Sequence, residues 1–277
     1  MRALEQQTIL ITGATDGLGR ALAARLAARG PELLIHGRDE ERGRATIADI
    51  QTRTGNAKLH WLRADLASLD EVRELAREVG ERCARLDALV SNAGIGTTLP
   101  GEGRRMESRD GYELRFAVNY LAGYLLTNLL MPLLERSAPA RIVNVSSAGQ
   151  APIDFDDVML ERRYDGVQAY CQSKLAQVSF TFDLARELDG HVVSATCLHP
   201  GTYMPTKMVR AAGVEAVTPL EHGVEATLRL VADPELEGVT GVYFNGLRAA
   251  SPHPQAADPT ARRRLRELSD RLCGLDA

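Results

Sequence analysis

The sequence predicts an α/β protein, with one doubly wound parallel sheet of about seven strands and helices on both faces. Three observations predict it. Short, continuous apolar runs alternate with longer amphipathic ones along the 277 residues, as expected for strands buried on both faces between helices. A glycine-rich loop joins the first apolar run directly to the first helical segment. No linker, repeat or low-complexity tract breaks the alternation, so residues 1–277 read as a single domain.

The elements follow in order. "TILIT" (8–12) is the first strand and leads through the glycine loop to a helix over 17–29. "ELLIH" (32–36), "KLHWL" (58–62) and "ALVSN" (88–92) are strands followed by helix-period segments at 39–53, 68–84 and 109–134. "RIVNV" (141–145) precedes a helix at 167–189, and "VVSATCL" (192–198) precedes one at 219–232. "GVYFN" (241–245) is the last strand. "AASPHPQAADP" (249–259) reads as a loop into a terminal helix that starts on Asp258, Pro259 and Thr260.

The bulk chemistry excludes several partners. A net charge of −4 gives no electrostatic reason to expect nucleic acid or an anionic membrane. Cys83, Cys171, Cys197 and Cys273 have no Cys-x-x-Cys and no metal-ligand spacing; they read as reduced thiols, and no metal is expected. The first strand begins a few residues after Met1, which leaves no room for a signal peptide. "GYLLTNLLMPLL" (123–134) is too short and too interrupted to span a bilayer. The expectation is a cytoplasmic protein.

Chemistry concentrates at two places. "ITGATDGLGR" (11–20) spaces Gly13, Gly17 and Gly19 between a strand and a helix, where a pyrophosphate can approach backbone amides at a helix N-terminus. "AYCQSK" (169–174) puts Tyr170 and Lys174 four apart, on one helix face, just after "RIVNVSS". An unperturbed phenol, with a pKa of about 10, is a poor proton carrier at neutral pH, and a fixed ammonium beside it favours the phenolate.

The glycine loop, "SNAG" (91–94), "VNY" (118–120), "VNVSS" (143–147), "YCQSK" (170–174) and "HPG" (199–201) stand in the order that resembles short-chain dehydrogenases/reductases. The likeness covers nearly the whole chain. "RIVNVSS", "AYCQSKLA", "LHPG" and "GVYF" resemble the retinol-dehydrogenase-like branch in particular. This resemblance implies a Rossmann-type fold and a hydride transfer between a nicotinamide cofactor and a carbonyl or alcohol. Tyr170 is then the proton donor and acceptor, Lys174 its partner, Ser147 (or Ser146) the hydroxyl that orients the carbonyl, and Asn119 the holder of a water against the lysine (or the stabiliser of a helix bend).

The same resemblance implies cofactor contacts from Gly13, Thr15, Gly17, Leu18, Gly19, Asp65, Leu66, Asn92, Ala93, Gly94, Tyr170, Lys174, Pro200, Gly201 and Thr202. Asn92 is alternatively a strand-end cap. NADP(H) is expected in preference to NAD(H). Gly37 stands where a ribose-binding carboxylate would favour NAD, and Arg38 follows with a guanidinium suited to a 2′-phosphate, unless it pairs with Asp39. Asp16 argues the other way. Where relatives often place a threonine on the nicotinamide carboxamide, this chain has Pro205, which leaves Thr202 or Thr206.

Substrate walls are expected from 95–110, 149–168 and 202–217. Ile95, Leu99, Met106, Ile153, Phe155, Met159, Tyr203, Met204 and Met208 there suit a small lipophilic or aromatic carbonyl compound, or else are packing. Arg104, Arg105, Arg162 and Arg163 read as solvated charge. The segment between Ser147 and Tyr170 is longer than in many relatives, which leaves homodimer and monomer both open. The competing reading is a catalytically silent NAD(P)-binding sensor or scaffold. Retention of Ser147, Tyr170, Lys174 and Asn119 together speaks for the enzyme.

Overall fold

A computed structural model describes residues 2–98, 101 and 103–275; Leu99 lies outside the described residues. Strands β1 (Thr8–Ile11), β2 (Glu32–Gly37), β3 (Leu59–Arg63), β4 (Ala88–Ser91), β5 (Ala140–Val145), β6 (Val193–His199), β7 (Val242–Asn245) and β8 (Arg248–Ala250) form one sheet in the order β3-β2-β1-β4-β5-β6-β7-β8. All neighbours are parallel except β7 and β8. The order reverses between β1 and β4, which opens a crevice at their carboxyl ends where such sheets bind ligands.

Helices α1 (Gly17–Ala27), α2 (Glu40–Thr54), α3 (Leu69–Arg82), α4 (Leu114–Arg136), α5 (Gly166–Glu187), α6 (Lys207–Ala211), α7 (Leu220–Ala232) and α8 (Pro259–Cys273) cover the sheet. Alternate residues of each strand feed opposite cores. Leu10, Leu34, Leu62 and Leu89 pack under α3, α4 and α5, whereas Ile9, Ile11, Leu33 and Ile35 pack under α1 and α7. Asp39, Ser68 and Asp165 start α2, α3 and α5 by accepting from the amides of Arg42, Glu71 and Gln168.

Three features differ from the expectation, and the seat of the expected terminal helix is a fourth that the sequence left open. The helix expected over 109–134 starts at Leu114, because the chain before it turns back and pairs Glu107 with Glu113. That helix is also longer than its apolar stretch suggested. Leu114–Arg136 is long and apolar enough to cross a bilayer, yet 67% of its most apolar window is buried within the protein. A strand β8 stands where a loop is expected; Asn245 pairs with Arg248, and Gly246-Leu247, with Gly246 at φ +57°, makes the two-residue turn that folds it back on β7. Finally, α8 lies across α4 and α5. Tyr120 Oη meets Ser269 Oγ at 2.7 Å, and Arg262 and Arg266 pair with Asp183.

Candidate active site

The crevice begins with the glycine loop. Gly13 (φ +66°) and Gly17 (φ +51°) adopt a conformation that favours glycine. At Gly19 a Cβ would stand 2.5 Å from both Asn92 Nδ2 and the Gly13 carbonyl, so only glycine lets the loop close on β4. Asn92 Nδ2 donates to the carbonyls of Thr12 (2.8 Å) and Gly13 (3.1 Å), while Thr12 Oγ1 accepts from the amides of Asn92 and Ala93. Asn92 is therefore a brace between β4 and the loop. Thr12, which sequence reasoning passed over, is its counterpart.

His36 was missed as well. Fully enclosed in β2, it accepts from the Gly13 amide at Nδ1 (3.3 Å) and lies 3.1 Å from the Ala64 carbonyl at Nε2. One acceptor and one donor make it the neutral Nε2–H tautomer, and burial pushes its pKa down to about 4. The unfolded chain binds a proton here below pH 6.5 and the folded chain only near 4. The stability His36 contributes is thus present above 6.5 and lost as pH falls through 4. Over that window the loss should reach about 3 kcal/mol. Denaturant titrations of His36→Gln should show a correspondingly shallower acid slope; equal slopes would remove His36 from the account.

Around the loop, the side chains of Leu18 and Leu66 are buried in the cores, which leaves their backbones to face a ligand. Thr15 packs against Gly37, and Asp65 accepts from the Ala67 amide. The exposed Arg38 makes no ion pair among the described residues, since Asp39 is used as the cap of α2. Asp16 caps α1 by accepting from the Gly17 amide (2.7 Å), at the spot where a phosphate would approach.

The second half of the crevice is made by β5 and α5. Ser146 is buried and its hydroxyl donates to the Lys174 carbonyl (2.8 Å), tying strand to helix. Ser147 is half-buried; its Oγ accepts from the Gly149 amide (3.0 Å) and stands with the Tyr170 ring against Gly149. Between the two serines, then, only Ser147 is available to a ligand. Lys174 Nζ sits 5.8 Å from the Tyr170 ring centroid and donates to the Val145 carbonyl (3.0 Å) and Gln177 Oε1 (2.9 Å).

Protonation differs from the expectation. Burial raises the Tyr170 pKa, and the hydrogen bond from Ser147 is what opposes the rise. Burial also brings Lys174 down to about 7. In the ligand-free chain each charged form is desolvated, and the serine acts on the phenol more than the ammonium does.

Asn119 lies in a π-helical turn (Ala117–Leu121) within α4, a bulge often found at functional sites. Its Oδ1 accepts from the Ile95 amide (2.8 Å), and its Nδ2 donates to Ser173 Oγ (2.9 Å) and the Ile95 carbonyl (3.2 Å). A Cβ on Gly94 would stand 3.2 Å from Asn119 Oδ1 and 3.5 Å from Lys174 Nζ, so the two groups meet over that glycine. Pro200 is buried after β6, and Gly201 packs on Met204. Thr202 Oγ1 pairs with His199 Nε2 (3.0 Å), whereas Thr206 starts α6 with its methyl against Gly17.

The expected substrate walls divide. Ile153 and Met204 are buried, and Phe155 and Met159 pack on the core, because the long segment before α5 folds down onto the protein. Met106, Tyr203 and Met208 are exposed, and Met208 reaches across to Gly96. Arg105 is not solvated charge: it bonds the Met159 carbonyl and Glu107 and so ties its loop to the segment before α5, whereas Arg162 bonds the Asp156 carbonyl within its own segment.

Residues 7–215 match the family model described as short chain dehydrogenase. Retinol dehydrogenase 13 of Homo sapiens is 39% identical over 98% of this chain and 86% of its own length. Retinol dehydrogenase 14 of Homo sapiens is 36% identical over 97% and 86%. Among solved structures, an uncharacterised protein from Mycobacterium paratuberculosis superposes with a TM-score of 0.77 at 29% identity, covering 97% of this chain and 94% of the other. A short chain dehydrogenase from Shigella flexneri 2a str. 301, complexed with NADP, gives 0.71 at 26%, covering 90% and 100%. With the glycine loop, Ser147, Tyr170 and Lys174 gathered at one crevice, this chain belongs to the short-chain dehydrogenases, in their retinol-dehydrogenase-like branch, and is an alcohol/carbonyl oxidoreductase.

Proposed function

We propose that the protein is an NADP(H)-dependent reductase of small lipophilic or aromatic aldehydes and ketones, or a dehydrogenase of the matching alcohols. The observation that carries the reading is Ser147 and Tyr170 side by side at Gly149, with the buried Lys174 next to the phenol ring. Two hydroxyls at one point are suited to donate to a single substrate oxygen, polarising it and delivering a proton. Lys174 Nζ and Asn119 Oδ1 both approach Gly94, which keeps the side of the site behind the phenol polar.

The cofactor fits the residues present. The left-handed Gly13 and Gly17, the cradle that a Cβ at Gly19 would fill, and the first-turn amides of α1 suit a pyrophosphate. Bound there, a nicotinamide supplies or accepts the hydride. Arg38, with no competing carboxylate at Gly37, favours a 2′-phosphate, and the NADP complex of the Shigella flexneri relative supports the same choice. The exposed Tyr203 and Met208, together with the names of the retinol dehydrogenase relatives, support a lipophilic substrate. The burial of most of the apolar window of Leu114–Arg136 within the protein supports a cytoplasmic location.

The test is to incubate purified protein with NADPH or NADH and a panel of aldehydes, ketones and quinones. NADPH should be the better reductant, and Arg38→Ala should cut kcat/KM for NADPH by roughly 10-fold while leaving NADH unchanged, as loss of one charge-assisted contact implies. Cofactor binding without turnover on any member of the panel would instead support a silent sensor.

A further inference from the structure

The catalytic pair is held from behind by residues to which the sequence assigns no role in the reaction. The carbonyl oxygen of Ser147 accepts from Gln150 Nε2 (2.8 Å) and from Tyr243 Oη (3.1 Å), so both its lone pairs are used. Tyr243 belongs to β7, two strands from β5, and is 4% exposed. Gln150 is itself fixed, because its Oε1 accepts from the His253 amide (2.9 Å). Gln255 extends the seam: its Oε1 accepts from the Ile153 amide (2.7 Å) and its Nε2 donates to the Ile153 carbonyl (3.2 Å). The strand exit that carries Ser147 is thus stitched to β7 and to the 3-10 turn Pro254–Ala257.

We propose that Tyr243 and Gln150 are positioning residues of the reaction, fixing the Ser147 peptide plane so that its hydroxyl points at the Tyr170 phenol. This rests on the reading of Ser147 as the substrate-orienting hydroxyl. Hydrogen bonds weaken steeply as their angle departs from linear, so the orientation of one peptide sets the quality of the Ser147–Tyr170 contact. Either donor alone still restrains the carbonyl; the plane turns only when both are removed.

The expected signature is therefore synergy. Tyr243→Phe and Gln150→Met should each lower kcat by only about 2- to 4-fold, whereas the double variant should lose roughly 100-fold, well beyond the product of the two. KM for NADPH should stay near wild type and the melting temperature should fall by only a few degrees, the scale of a few lost hydrogen bonds in a chain of this size, a split from kcat that simple loss of packing would not produce. Ser147→Ala should lower kcat strongly in the wild type and hardly at all in the double variant, because the clamp acts through that serine. Equal losses from Ser147→Ala in both backgrounds, or a double variant of normal kcat, would overturn the clamp while leaving Ser147 in place. If Ser147→Ala alone leaves kcat untouched, the assignment of Ser147 fails first and the clamp falls with it.

Discussion

Lys174→Met should abolish turnover and leave the ligand-free protein at least as stable as the wild type. The two halves have one cause. Lys174 is 4% exposed, has no carboxylate partner among the described residues, and is held by two neutral oxygens, so burial drives its pKa from 10.5 to about 7. Below pH 7 the lysine is charged in both folded and unfolded chains, and the folded chain carries the full desolvation penalty. Between 7 and 10.5 the unfolded chain holds the extra proton, so stability rises with pH, and above 10.5 the penalty is gone. At neutral pH methionine removes that penalty and gives up two hydrogen bonds, each worth about 1–2 kcal/mol, for a net gain of about 1 kcal/mol. Activity should fall by about 10³-fold, the scale of a lost acid–base function. Denaturant titrations decide the stability half: from pH 7 to 9 the wild type should gain about 2 kcal/mol on the variant. Tyr170→Phe should match the loss of turnover without that pH-dependent difference. A Lys174→Met protein that unfolds more easily at pH 7, with an unchanged pH slope, would show that the lysine is structural.

What the sequence made legible was local. The strands are short apolar runs bounded by turns, and seven of the eight were readable because each carries its own pattern. The glycine loop and the Tyr170–Lys174 spacing needed only a few consecutive residues. β8 is not legible because Arg248–Ala250 has no apolar pattern and its turn, Gly246-Leu247, carries a single glycine as its only signal. The supporting shell was illegible for a different reason. His36 reads as an ordinary strand residue until Gly13 and Ala64 close on it from 23 and 28 residues away. Tyr243 reads as core until its hydroxyl is found on Ser147, 96 residues distant. The same holds for the split among the expected substrate residues. Ile153 and Tyr203 are both apolar loop residues in sequence, and only the fold of the segment before α5 decides that the first is buried. First contacts follow spacing, whereas the groups that hold them follow topology.

Arg115 is the costliest residue of this kind to lose. Within "YELRFAVN" it passes for a surface charge, yet both it and Glu113 are wholly enclosed. Arg115 Nε donates to the Gly96 carbonyl (2.8 Å), Nη2 to the Thr97 carbonyl (2.8 Å), and Nη1 to the Tyr164 hydroxyl. Tyr164 in turn donates to Glu113 Oε1 (3.1 Å), while Glu113 Oε2 accepts from the Phe116 amide (2.7 Å) at the start of α4. One guanidinium therefore joins the loop after β4, the turn leading into Asn119, and the segment before Tyr170. Arg115→Met leaves the Glu113 charge without its cation and two carbonyls without donors. The cost should be about 3–5 kcal/mol, as for other broken buried pairs. In a chain of this size that lowers the melting temperature by roughly 10 °C. Glu113→Leu combined with Arg115→Met should recover part of the loss, because no uncompensated charge remains; a double variant no better than Arg115→Met would mean that the carbonyl contacts, rather than the ion pair, set the cost. Refolded at low temperature, Arg115→Met should still bind NADPH through the distant glycine loop, but with a raised KM for the carbonyl substrate. A melting temperature within about 2 °C of wild type, equivalent to less than about 1 kcal/mol, would mean that Glu113 and the two carbonyls find other partners.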